Sequence, residues 1–251
     1  MWKASGVQLA LFCLSVGDIR AEALFELAFG SPPDSVQSNR VLTAANPLQG
    51  VALGAIDGLN YELQVQPGRI DVLVSKTQGD GLDADMLEGT FECPAVLDTM
   101  ISVVERLKSE VLQSFRVSLV ATLKLPVADY KTAAEHIGGI LGIDLARDHM
   151  SDLNFQVNRR KTLPQGWEIN RLMRIGVMAF HSFELHIDHN VGGPVAPRVP
   201  KNSVALVLDF NLVPQTSVLS PDDQLEIAKA LRDEILVTAQ ADNLLLRVLN
   251  D

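Results

Sequence analysis

VALGAIDGLNYELQVQPGRIDVLV, residues 51–74, reads as three antiparallel strands, and that reading decides the fold. Val51, Leu53 and Ala55 alternate up to Asp57-Gly58, a pair that tolerates the positive φ angles of a two-residue hairpin turn. Leu59, Tyr61, Leu63 and Val65 alternate down to Pro67-Gly68. There Pro presets φ and Gly accepts a positive φ, as a type II turn requires. Ile70, Val72 and Val74 resume the alternation. A period of two over three linked runs predicts a meander with one apolar face.

The elements on either side extend this block. Upstream, Val7, Leu9, Leu11 and Cys13 predict a central strand. A helix follows over Asp18 to Phe29, with Asp18 as its cap and Ala21, Leu24, Phe25 and Ala28 facing inward. Gly30 and Pro32-Pro33 stop it, and residues 31–49 read as a loop. Downstream, an acidic loop over 76–92 leads to a helix beginning near Pro94. Its stripe is Val96, Ile101, Val104, Leu107, Val111 and Leu112.

At Val117 the order starts again. Val117, Leu119, Ala121 and Leu123 form a strand, and a helix runs from Asp129 with Ala133, Ile137, Ile140 and Leu141 inward. Leu153, Phe155 and Val157 alternate into a turn at Leu163–Gly166. A long strand-like run from Trp167 to Ile187 predicts a bend or bulge near Gly176. Val204 to Leu212 is the last strand, and Ser220-Pro-Asp-Asp223 caps the final helix, to about Gln240. Repetition in fixed order reads as internal duplication. The expected class is therefore α+β: two similar β-α-β-β-β-α halves, 1–113 and 114–251. They are expected to pack as one globular unit, with antiparallel sheets and helices on one face.

Composition restricts function more than it assigns it. Of 251 residues, 47% are apolar and 21% charged, the balance of a folded domain with a substantial core. A net charge of −10 disfavours a general polyanion binder. Cys13 and Cys93 show no metal-type spacing and suit free thiols in a reducing, cytoplasmic setting. No run approaches the roughly 18 apolar residues that would suggest a membrane span. The apolar start imitates a secretory leader. Arg116 to Leu125 carries the same pattern in mid-chain, and a strand explains both. Gly-rich phosphate loops, GxSxG, HExxH and paired CxxC are missing from the sequence, which argues against the enzyme classes they mark.

Three constellations could carry chemistry. Along His181–His189, Glu184, His186 and Asp188 share one strand face, and Asp209 and Asn211 lie opposite the apolar face of the next strand. Converging carboxylates and imidazole suit a divalent metal or a small polar ligand. Arg147, Arg159, Arg160, Lys161, Arg171 and Arg174 form a basic zone in an acidic chain. It could meet an acidic protein, phosphate or nucleic acid, or simply protect sheet edges as solvated charge. Cys93 precedes Pro94 at a helix start, where the positive helix end could lower a thiol pKa. The apolar tail Leu244–Leu249 either docks on the sheet as a last strand, extends the final helix, or anchors another subunit.

Together these features predict a non-enzymatic scaffold, adaptor or complex subunit without a cofactor. A protein partner or self-association is expected through sheet edges, the basic zone or the tail. A ligand or metal site at Glu184, His186, Asp188 and Asp209 is the first alternative. A phosphate or nucleic-acid contact through Arg159, Arg160, Arg171 and Arg174 is the second.

Overall fold

Asp57 and Gly58 both adopt positive φ, at 50° and 76°, and set Ile56 opposite Leu59. Gly68, at φ 73°, closes the second hairpin with Gln66 opposite Arg69. These two turns form β3 (Gly50–Ile56), β4 (Leu59–Gln66) and β5 (Arg69–Ser75) as a meander. The computed structural model describes residues 2–16, 19–39, 41–43, 47–76, 89–108, 113–145, 152–180 and 201–249.

The remaining elements follow in chain order. β1 (Lys3–Cys13), α1 (Ala21–Phe29) and β2 (Ser35–Ser38) precede the meander, and α2 (Cys93–Leu107) follows it. Then come β6 (Ser114–Val127), α3 (Tyr130–Leu141), β7 (Asn154–Thr162), β8 (Glu168–Phe180) and β9 (Lys201–Leu212). The chain closes with α4 (Pro221–Ala239) and α5 (Leu244–Leu249). The strands make one antiparallel sheet in the order β2-β3-β4-β5-β1-β6-β9-β8-β7. Outward from β1 run β5, β4 and β3; outward from β6 run β9, β8 and β7.

The helices pack against one face of this sheet, in a single apolar cluster. Val7, Leu9 and Leu11 point into it beside Val74, Val72 and Ile70 on one side and Ala121, Leu119 and Val117 on the other. Burying a side chain of this size stabilises by about 1.5–3 kcal/mol, so these central strands carry much of the core. The class is therefore α+β, with a large antiparallel sheet.

Several expectations are corrected. The meander's first strand has the opposite phase: Ala52 and Gly54 face the helices, while Leu53 is 42% exposed. Phe25 of α1 explains this, since a Cβ on Gly54 would lie 2.5 Å from its ring. The large residue comes from the helix, so the strand beneath supplies small ones. Residues 35–38, read as loop, form the exposed edge strand β2 against β3. Helix α1 starts after Arg20, with no side-chain cap, and Asp18 lies outside the described residues. β8 is described as far as Phe180, with residues 181–187 of the expected run outside the described set, and its register through Gly176 is continuous on both sides. The register shifts fall instead between β1 and β6, at Ala4/Gly6 and Phe12/Cys13. The α2 stripe ends at Leu107, and residues 111 and 112 lie outside the described set.

Helix α3 ends in a Schellman arrangement. Gly142 takes φ 68°, and the Ile143 amide donates to the Gly138 carbonyl at 2.9 Å. A Cβ on Gly138 would meet the Ile143 carbonyl oxygen at 2.6 Å, whereas one on Gly139 meets nothing within 4 Å. Urea denaturation should separate an open glycine from a packed one. Gly139→Ala is expected to stabilise by about 0.5–1 kcal/mol, and Gly54→Ala to destabilise by about 1–3 kcal/mol. Equal responses would contradict the packing described.

Candidate functional site

The basic zone divides between the two faces of the sheet. Arg159 lies opposite Arg171 and Lys161 opposite Ile169, all pointing to the helix-covered side. Arg160 lies opposite Asn170 and Arg174 opposite Gln156, on the uncovered side. Arg171 is fully buried, so it is not the solvated arginine its composition suggests. One register row explains how unusual its place is. From the central pair Leu9–Leu119, the row runs through Val72 and Leu63 one way and through Phe210 and Arg171 the other. Leu63 and Arg171 thus hold matching core positions, one apolar and one charged.

The charge is held from α4 and α5. Glu234 receives Lys161 Nζ at 2.7 Å, with Arg171 Nη1 at 3.5 Å and Arg247 Nη2 at 3.6 Å. Arg171 Nη2 also donates to the Val248 carbonyl at 3.1 Å, near the end of α5. Burial pulls the Arg171 guanidinium below its ordinary pKa, and the Glu234 carboxylate opposes that pull. The apolar tail is neither a last strand nor a continuation of α4: it forms the separate helix α5, with Leu244 and Val248 buried and a core arginine gripping the backbone at Val248 itself. Leu246 stays 53% exposed.

Removing a carboxylate that serves several cations leaves their charge uncompensated. Glu234→Gln should cost about 2–4 kcal/mol in urea unfolding. Arg171→Leu should cost less, because Lys161 and Arg247 still meet Glu234. The reverse order would show that the cluster is not organised around the carboxylate.

The uncovered face is polar and internally bonded. Asp71, 2% exposed, accepts from Arg69 at 2.7 Å, Gln8 at 2.8 Å and Gln66 at 3.2 Å. Asn211 accepts from Arg116 at 2.9 Å and Asn170 at 3.0 Å, and donates to Asp209 at 2.9 Å. Ser118 donates to Asp209 at 3.3 Å. Phe12 sits between two guanidiniums, with Arg69 and Arg116 at 4.9 and 4.7 Å from its ring centroid. This network extends over β4, β5, β1, β6, β9 and β8, a reach that no single run of residues reveals.

Asp209 therefore lies where the sequence places it, opposite the apolar face and beside Asn211, with Ser118 and Asn211 as partners. Glu184, His186 and Asp188 lie outside the described residues. Among the described residues no group of three or more His, Cys, Asp or Glu side chains could hold a metal ion. Arg147 also lies outside them.

Cys93 opens α2 but is only 8% exposed. Burial, reinforced by the Glu92 carboxylate, pushes its pKa up to about 12. Burial pushes Cys13 up to about 11. Desolvation thus outweighs the helix-start effect, and both thiols stay protonated at neutral pH. The unfolded chain would lose these protons near the ordinary thiol value, about 8.5. Their contribution to stability is therefore complete below that pH and is lost as pH rises toward 11 and 12. Urea titrations between about pH 8 and 10 should show a decline of up to about 1.4 kcal/mol per pH unit for each thiol. The decline should be shallower in the Cys13→Ala/Cys93→Ala double variant, and parallel curves would contradict the assignment.

Comparison with protein-family models, curated proteins and solved structures finds no match. No helix among the described residues is long and apolar enough to cross a membrane.

Proposed function

We propose that this chain is a non-enzymatic partner-binding subunit, working in the reducing cytoplasm, that receives an extended acidic segment along the free edge of β7. The observation that carries this reading is that β7 combines the sheet edge with two exposed arginines of the basic zone. β7 pairs with β8 alone among the described residues. Arg159 and Arg160 on it are exposed.

Backbone parity supports the same surface. The Val177 amide donates to Leu153 at 3.2 Å and the Leu163 amide to Trp167 at 2.7 Å. Both pairs share one register, so odd-numbered residues between them bond to β8. Even-numbered amides, that of Asn158 among them, then point to the free side. An added strand would bond there, as in β-augmentation. Like-charge arginines disfavour pairing with a second copy and favour an acidic partner. At the opposite edge, β2 is only four residues long and offers a shorter template.

We also propose that the halves 1–113 and 114–251 descend from one copied unit. The matching outward strand order supports it. So does a repeated contact: Gln8 donates to Asp71 and Ser118 to Asp209. In each half the carboxylate then lies opposite the residue two places along the first strand, Ala10 or Val120.

Asn158→Pro removes one outward amide while leaving the β7–β8 ladder intact. Affinity capture from the native cell with quantitative mass spectrometry, run on wild type and this variant, tests the reading. A stoichiometric acidic partner should appear with wild type and be lost from the variant. A partner kept equally by both, or a chain that stays monomeric and captures nothing, would refute it. Recovery of nuclease-sensitive material instead would favour the nucleic-acid reading.

A further inference from the structure

The free edge of β7 also fixes what the side chains of an added strand must meet. Phe155, Val157 and Arg159 project to the helix-covered side, opposite Ile175, Met173 and Arg171 of β8. Those three residues of β8 are fully buried. Phe155 and Val157 are half-buried and pack against the core, whereas Arg159 is exposed. Two apolar rows and one charged row thus run out at this edge, and a further strand would extend each by one residue.

The hydrogen-bond register decides how close these contacts are. Odd-numbered residues of β7 bond to β8, so the even-numbered ones bond outward. In an antiparallel addition, Phe155, Val157 and Arg159 each face a partner residue across a non-hydrogen-bonded pair. Side chains approach more closely in such pairs. Gln156 and Asn158 point to the uncovered face, so the residues opposite them lie at a polar surface.

Charge separates Arg159 from the other cations of this strand. Lys161 already meets Glu234 at 2.7 Å, and Arg160 meets Glu168 at 3.8 Å. Arg159 has no ion pair among the described residues. Its cross-strand neighbour is the buried Arg171 guanidinium, which repels it. A carboxylate arriving opposite Arg159 would offset that repulsion and accept two parallel hydrogen bonds from the guanidinium.

We propose that the strand received by β7 runs antiparallel to it and carries an acidic residue followed, two and four places later, by apolar residues. The acidic side chain meets Arg159, the first apolar one covers Val157 and the second covers Phe155. This rests on the reading of β7 as the receiving edge and adds the spacing of the residues received. A wholly acidic segment would leave Val157 and Phe155 without apolar cover. A wholly apolar one would enclose the Arg159 charge unpaired.

Fluorescence anisotropy on the full chain with labelled nine-residue peptides tests the spacing. The matching peptide has glutamate third, valine fifth and isoleucine seventh, with threonine elsewhere. An isomer moves valine and isoleucine to the sixth and eighth places, on the face opposite the glutamate. A third peptide replaces glutamate by lysine. The matching peptide should bind below about 1 mM, and the other two at least about fivefold more weakly. Arg159→Glu should reverse the preference between the glutamate and lysine peptides, and Asn158→Pro should remove binding. Circular dichroism and melting temperature check that both variants fold. Equal binding of the matching peptide and its isomer, both lost in Asn158→Pro, overturns the spacing and leaves the edge as the receiving surface. So does a preference for glutamate that well-folded Arg159→Glu retains. No binding by any peptide, or binding that well-folded Asn158→Pro keeps, overturns the spacing and the edge together.

Discussion

The antiparallel pairing of β1 with β6 is the interaction on which the rest of the structure depends. Leu9 faces Leu119 at its centre, each 1% exposed. Without this ladder the strands would form two smaller sheets, each with a hydrogen-bonding edge open where the other now lies. With it, the described strands share one core, and α2 and α4 meet above the join, where Arg232 of α4 pairs with Asp98 of α2. The ladder brings together residues from opposite halves of the chain, so its closure entropy must be met by the apolar rows on either side.

Placing every helix on one face leaves the other to be stabilised by its own side chains. The solution is a set of cross-strand polar bonds rather than an apolar cover. Asp71 is buried yet satisfied three times over, and Asn211 links Arg116, Asn170 and Asp209. A half-buried face with satisfied polar groups resists edge-to-edge and face-to-face association better than an apolar one would. Where that network gives out, at Gly176 and Ala205, the surface becomes hollow. Local absence of side chains, rather than a conspicuous motif, shapes that end of the sheet.

What the sequence disclosed follows from the range of each signal. Turns and helix starts are local: Asp57-Gly58, Pro67-Gly68, the start of α3 at Asp129 and the Ser220 cap all stand where the residues place them. Alternation is also local, so the inward sets of β1, β4, β5, β6 and β9 are legible. It misleads at β3, because the inward face there is set by Phe25, distant in the chain and on another element. The edge strand β2 has no alternating pattern to betray it, since both its faces are exposed. Arg171 illustrates the deepest limit. Arg171 shares its strand face with Ile169, Met173 and Ile175, whereas Arg174 lies on the opposite face with Asn170 and Gly176, so alternation separates the two. What no local signal discloses is how the buried charge is met, by Glu234 and by the carbonyl of Val248.

That difference also separates the two ends of the sheet chemically. At the position where the first half carries Leu63, the second carries a guanidinium, and beside it Arg159 lies where the first carries Ala52. An apolar row needs nothing beyond the helix above it, whereas a charged one needs a carboxylate, a carbonyl and an extra helix to supply them. Helix α5 meets that need, and no element after α2 plays the same part in the first half among the described residues. The charge that anchors α5 lies on the same strands that form the free basic edge and the hollow. Stiffening β7 and β8 from beneath holds their outward residues in register. The second half thus combines a charged interior braced by α4 and α5 with outward-facing arginines, Arg160 and Arg174, on the same strands.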